Sequence, residues 1–278
     1  MKKIRTELIL ELAKDIKNCE GFKKKVTHFK YDIKQTEINL SSEVVAKKIQ
    51  REVGNYISFD FDELLFYSIN AKNLLCEKLK LAIQKIIKSL KVSPKKILIV
   101  GLGNEKYACD SLGKCVTERI LVTKPYLDKD LFSKSKMAEV YAVSLGVYGT
   151  TGLESSNTIK SICESLKPNL VIAVDSLVAS DTKTLSKSIQ ISDTKLSPGG
   201  GVGNKRKEIS EKTLGIKVLA IGVPLVVNLS TFCKTSEDLI VTPKDVEQKV
   251  IGLSKIIAKA INLSLNKLTE KELLELTA

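Results

Sequence analysis

The chain has no tryptophan, a single histidine (His28) and no pair of cysteines at C-x-x-C spacing. One histidine excludes the H-E-x-x-H zinc motif and leaves a histidine-based triad only through His28, which lies in a lysine-rich segment. The six scattered cysteines (Cys19, Cys76, Cys109, Cys115, Cys163, Cys233) read as reduced, mostly buried small apolar residues, not as a disulfide framework or a metal cluster. No apolar run reaches the length of a membrane span. The opening "MKKIRTELILELAKDI" lacks a signal-peptide core, because Glu7, Glu11 and Asp15 interrupt its apolar residues. These absences predict a cytoplasmic protein. Aromatic residues are few (seven Tyr, seven Phe), and the 45 Lys and Arg are spread along the chain. The formal charge of +13 therefore describes a solvated basic surface, with only a weak, salt-sensitive attraction to DNA.

What is present is a core. The 278 residues, 43% of them apolar, suffice for one large α/β domain. Residues 54–61, "GNYISFDF", alternate as a strand does. Leu74, Leu75, Leu79, Ala82, Ile83, Ile86, Ile87 and Leu90 recur at helical spacing, and Pro94 stops that helix. Short continuous apolar runs follow at 97–100, 140–147, 170–174 and 218–223, separated by polar stretches long enough for crossovers. Continuous runs indicate strands covered on both faces, so the pattern predicts a mostly parallel sheet flanked by helices. Residues 242–265 read as one helix with Pro243 in its first turn, and Thr269 with Glu272 forms a capping box for a last short helix.

Two glycine-rich loops invite a phosphate-binding reading, and both depart from the required pattern. "GLGNEK" (101–106) has Lys106 where the third glycine of a dinucleotide fingerprint belongs. "SPGGGVGNKRKE" (197–208) has Asn204 where a P-loop needs lysine. The carboxylates are more informative. Asp110 follows the run 97–100, and Asp175 ends the run 170–174. Loops leaving the carboxyl ends of parallel strands share one edge of the sheet, so the two acids can meet there. Adjacent carboxyls share a proton, which lets one act as base toward water and the other as acid. The alternative for Asp175 is a cap on a following helix. Asp193 reads as an Asx-turn opening the glycine loop, and Asn104 and Ser176 as polar neighbours of the same edge.

"GNYISF", "VGLGNEKYACDSLG", "GTTGLESSNTIKSICESLKPNLVIAVDSLVAS", "IQISDTKLSPGGGVGNKRKEIS", "LGIKVLAIGVPLVV" and "VTPKDVE", in this order, closely resemble the germination proteases of spore-forming bacteria. The resemblance implies an atypical aspartic endopeptidase that degrades small acid-soluble spore proteins in the spore core. It implies a fold like that of the hydrogenase maturation proteases, of phosphorylase-like type. Its two proposed catalytic aspartates map onto Asp110 and Asp175. The glycine turn then shapes a substrate cleft: Gly101 and Gly103 let a peptide approach closely, and Asn104, Asp193, Gly199 and Gly200 are further cleft candidates. No motif requires a metal or a cofactor.

The resemblance also implies a zymogen that removes its own N-terminal segment. Family cleavage sites favour an acidic residue followed by a bulky apolar one, so Glu7–Leu8 in "RTELILE" is the expected processing bond. Residues 1–7 would be a propeptide and 8–278 a single protease domain; the plainer alternative makes 1–15 a surface helix with a frayed end. The family forms tetramers, but a segment it carries between the strand ending near Val227 and "LIVTPKDVE" is largely absent here, which weakens that expectation. A rival from another class is a non-catalytic module that binds DNA or spore proteins on the same fold.

Overall fold

Nine segments with strand-forming sequences pair into one sheet in the computed structural model, which describes residues 6–129, 137–200, 206–233 and 239–277. The strands are β1 (Phe22–His28), β2 (Lys34–Leu40), β3 (Gly54–Asp60), β4 (Lys96–Gly101), β5 (Glu139–Ser144), β6 (Leu170–Ala179), β7 (Ser188–Ser192), β8 (Val218–Asn228) and β9 (Ile240–Val241). Their order is β1-β2-β3-β7-β8-β6-β4-β5, with β9 paired to β8.

The expected α/β architecture is present, and its parallel character is confined to β5-β4-β6-β8. The remaining pairings are antiparallel. The hairpin β1–β2 is an addition to the sequence reading. In β2 only Thr36, Ile38 and Leu40 are buried, so the segment never shows the continuous apolar run that marks the central strands. Its reversal uses Tyr31 and Asp32 at φ of 61° and 53°, a conformation suited to a tight turn.

Burial on both faces accounts for the central runs. Ile97, Ile99, Ile172, Val174, Leu219 and Ile221 face the helices Ile69–Ser89 and Val246–Leu265. Leu98, Val100, Val171, Ala173 and Ala220 face the opposite layer, which includes Ile159 and Cys163 of the helix Ser155–Leu166. Ser68 caps the first of these helices by accepting from the Ala71 N–H at 3.2 Å. Pro243 lies just ahead of the helix it was expected to enter, its carbonyl accepting from the Val246 N–H at 3.1 Å. The box of Thr269 and Glu272 is formed reciprocally, with bonds of 2.7 and 3.2 Å.

Strand lengths create the site. β4 stops at Gly101, opposite Val174 of β6, while β6 and β8 remain paired to Ala179 and Val227. The step leaves an open ledge at the carboxyl end of β4. Of the six free cysteines, Cys76 and Cys163 are buried and the other four are half-buried or exposed, so the burial expectation holds for two. Among the described residues, no helix is long and apolar enough to cross a membrane.

Candidate active site

The ledge holds the two acids. Asp175 is not at a strand end: β6 runs four residues beyond it, so it caps no helix. Its carboxylate accepts from the Ser176 N–H at 2.9 Å and is almost fully buried, 5% exposed. Asp110 closes a single 3₁₀ turn, Ala108–Asp110, and accepts from the Asn104 N–H at 2.8 Å. The Leu102 N–H donates to the Val174 carbonyl at 2.9 Å, stitching the glycine turn to β6 one residue before Asp175.

Both glycines make room for the chain's own backbone, and Gly103 also lines the cavity described below. At Gly101 a Cβ would lie 2.2 Å from the Gly113 carbonyl oxygen, so this position lets the helix Leu112–Thr117 pack on the turn. Gly103 has φ +111°, and a Cβ there would lie 2.0 Å from the Asp110 carbonyl oxygen. Gly103 thus admits the loop that presents Asp110.

Burial sets the electrostatics. It raises the Asp110 carboxyl to about 6, against the opposing hydrogen bond from Asn104. Asp175 is held well above the ordinary carboxylate range by burial first, then by the charges of Asp110 and Glu7. Both carboxyls are therefore shifted toward holding a proton, Asp175 the more strongly.

Both aspartates line a cavity of about 420 Å³ together with Gly103, Asn104, Ser176, Gly199 and Glu7. Gly200 stands just behind, where a Cβ would lie 3.4 Å from the Glu7 Oε1 atom. Residues 201–205 of the glycine loop, including Asn204, lie outside the described residues. Asp193 is not part of the lining. Its carboxylate accepts from the Asn55 N–H (2.7 Å), the Asn55 side chain (2.6 Å) and Ser89 Oγ (3.0 Å), so it ties β3 to the end of β7 and forms no Asx-turn. His28, on β1, also lies away from the cavity.

The sequence reading passed over two features of the wall. Arg206 lies 4.3 Å from the Tyr148 ring centroid and 3.8 Å from the Glu154 carboxylate, placing a cation at the cavity. Gln190, on β7, touches the N-terminal segment. Its Nε2 donates to the Glu7 carbonyl at 3.2 Å, and its Oε1 accepts from the Ile9 N–H at 2.7 Å. Both residues lie in the quoted stretch "IQISDTKLSPGGGVGNKRKEIS", but nothing in its spacing says what their side chains touch, which the fold reveals.

That N-terminal segment is built into the site. Among the described residues 6–15 only Ile9–Leu12 is helical; residues 1–5 of the plainer alternative lie outside the described residues. The Glu7 N–H donates to the Val178 carbonyl, and the Val178 N–H donates to Glu7 Oε2, each at 2.9 Å. Leu8 is 2% exposed and packs on Leu177 and Ala179. Beyond it, Glu11 accepts from the Ser180 N–H (2.7 Å), Ser180 Oγ (2.6 Å) and Thr184 Oγ1 (2.6 Å). Leu8 itself is not among the residues that line the cavity.

Among solved structures, a [NiFe] hydrogenase maturation protease HycI from Thermococcus kodakarensis aligns with 18% identity and a TM-score of 0.38, covering 65% of this chain and 98% of that one. The germination protease of Clostridium tetani is 31% identical over 86% of this chain and 87% of its own length. That of Bacillus velezensis is 34% identical over 97% of this chain and 76% of its own. The family model for germination proteases matches residues 3–237. On this match across most of its length, the chain belongs to the germination protease family.

Proposed function

We propose that this member of the family is an aspartic endopeptidase acting on small acid-soluble spore proteins, with Asp110 and Asp175 as its hydrolytic pair. The observation that carries the reading is the placement of a buried carboxyl, Asp175, and a half-buried one, Asp110, both raised in pKa, on the wall of one cavity. In the reaction, the ionised member takes a proton from water as the water oxygen attacks the peptide carbonyl carbon. The protonated member then gives its proton to the departing nitrogen as the C–N bond breaks. The electron pair of that bond leaves with the amine.

The same site processes the chain itself at Glu7–Leu8. Glu7 lines the cavity shared by the two aspartates, and its charge is among those acting on Asp175. A processing bond must be brought to the acids by the fold, and residues 6–11 are fastened to β6 and β7 on both sides of it.

Incubating the protein with a purified small acid-soluble spore protein and sequencing the fragments tests the substrate assignment. Cleavage on the carboxyl side of acidic residues is expected, falling by about 10²–10⁴-fold in Asp110→Asn and in Asp175→Asn. Binding without cleavage, indifferent to both substitutions, would instead favour a non-catalytic module.

A further inference from the structure

Gln190 grips the chain on both sides of the Glu7–Leu8 bond. It stands opposite Gly222 of β8, and Gly222 stands opposite Asp175 of β6, so Gln190 and Asp175 share a row across three strands and face the same side. Gly222 supplies no side chain to that row, and a Cβ there would strike Leu177 at 2.4 Å. The N-terminal segment, bonded to β6 through Val178 and to β7 through Gln190, therefore passes over β8.

The polarity of the Gln190 amide is fixed by its partners. The Ile9 N–H can only donate, so it faces Oε1 at 2.7 Å, and Nε2–H is left to face the Glu7 carbonyl oxygen at 3.2 Å. That oxygen belongs to the bond read above as the processing bond. We propose that Gln190 is a catalytic residue that holds the carbonyl of the bond to be cut, first in the chain's own N-terminal segment and then in substrate chains that replace it. This assignment rests on Glu7–Leu8 being the processing bond.

The chemistry follows from the donor's position. When water adds to the Glu7 carbonyl carbon, negative charge develops on its oxygen, and a neutral amide N–H aimed there stabilises that charge without giving up its proton. The separation in the uncut chain leaves room for the bond to shorten as charge builds. When the tetrahedral carbon collapses, the C–N electron pair goes to the Leu8 nitrogen, which takes its proton from the aspartate pair. The bond from the Ile9 N–H to Oε1 holds the amide in the donating orientation and sets the register of the residues following the cut.

The test uses the full chain, with Gln190→Leu, Gln190→Glu and Asp175→Asn beside the parent. Intact mass follows loss of residues 1–7, and a quenched peptide containing one Glu–Leu bond gives kcat and KM. Gln190→Leu is expected to slow processing by about 10²–10³-fold and to lower kcat on the peptide more than it raises KM. Gln190→Glu can donate only while its carboxyl is protonated, so its rate should approach the parent's at acid pH and fall away from it as pH rises. Parent-like kcat on the peptide in both folded variants would overturn the proposal and reduce Gln190 to an anchor for the uncut segment. Should Gln190→Leu fail to fold, Gln190→Glu decides through its pH profile. Should the parent cleave the peptide while keeping residues 1–7, the processing-bond reading fails by itself, and kcat on the peptide alone decides the role of Gln190.

Discussion

At the scale of single residues, the two aspartates are kept from ionising by different surroundings. Asp110 carries a hydrogen bond that favours its charge and still titrates near 6 because burial outweighs that bond. Asp175 has one such bond and two neighbouring negative charges against it. A carboxyl raised in this way stabilises the fold fully below its unfolded pKa, near 4, and loses that contribution as pH rises through the folded value. For Asp110 the window runs from 3.8 to about 6, a shift corresponding to about 3 kcal/mol as an upper figure. For Asp175 it extends higher. Asp175→Asn should therefore melt several degrees above the parent at neutral pH and show little gain near pH 3.5, measured by thermal unfolding. An identical difference at both pH values would show that folding leaves the Asp175 pKa unshifted. Both acids were legible as a pair in the sequence because each follows a buried strand run. Gln190 was not, because its role exists only once residues 6–9 have crossed the sheet.

At the scale of elements, the glycine turn and the helix after it act as one bracket for Asp110. Gly101 and Gly113 bring their backbones into contact, with Thr117 completing the packing. Gly101→Ala forces a methyl group against the Gly113 carbonyl and is expected to cost about 1–3 kcal/mol by denaturant unfolding, together with a loss of hydrolysis as the bracket shifts. Retained activity at lowered stability would separate the packing from the chemistry. Asp193 makes the opposite prediction. Asp193→Ala strands the Asn55 N–H at the start of β3 and should cost about 1–3 kcal/mol while leaving kcat on a peptide substrate unchanged. A changed kcat would return Asp193 to the cleft. The central strands were legible from runs buried on two faces. The β1–β2 hairpin was hidden by a lysine-rich sequence with one buried face, and the continuation of β6 past Asp175 by the assumption that a charged residue ends a strand.

At the scale of the whole molecule, the charge of +13 marks the one clear consequence of composition. We propose that it draws the protein weakly to DNA. Binding to duplex DNA should then weaken by orders of magnitude between 50 and 200 mM salt, as phosphate neutralisation requires when about six or more contacts form. No salt-dependent binding at the lower concentration would remove the idea. The family reading was legible in the sequence because its segments keep their order along the chain, whereas the position of residues 6–11 over the sheet required the fold.

The central claim is that two aspartates at one ledge of the sheet hydrolyse peptide bonds, the chain's own among them. The most direct measurement is an intact-mass time course of the purified chain alone, at mildly acidic and neutral pH, for the parent, Asp110→Asn and Asp175→Asn. The account predicts loss of residues 1–7 and a new N-terminus at Leu8 in the parent only. Equal loss of the segment in all three proteins would contradict it and place the hydrolytic groups elsewhere.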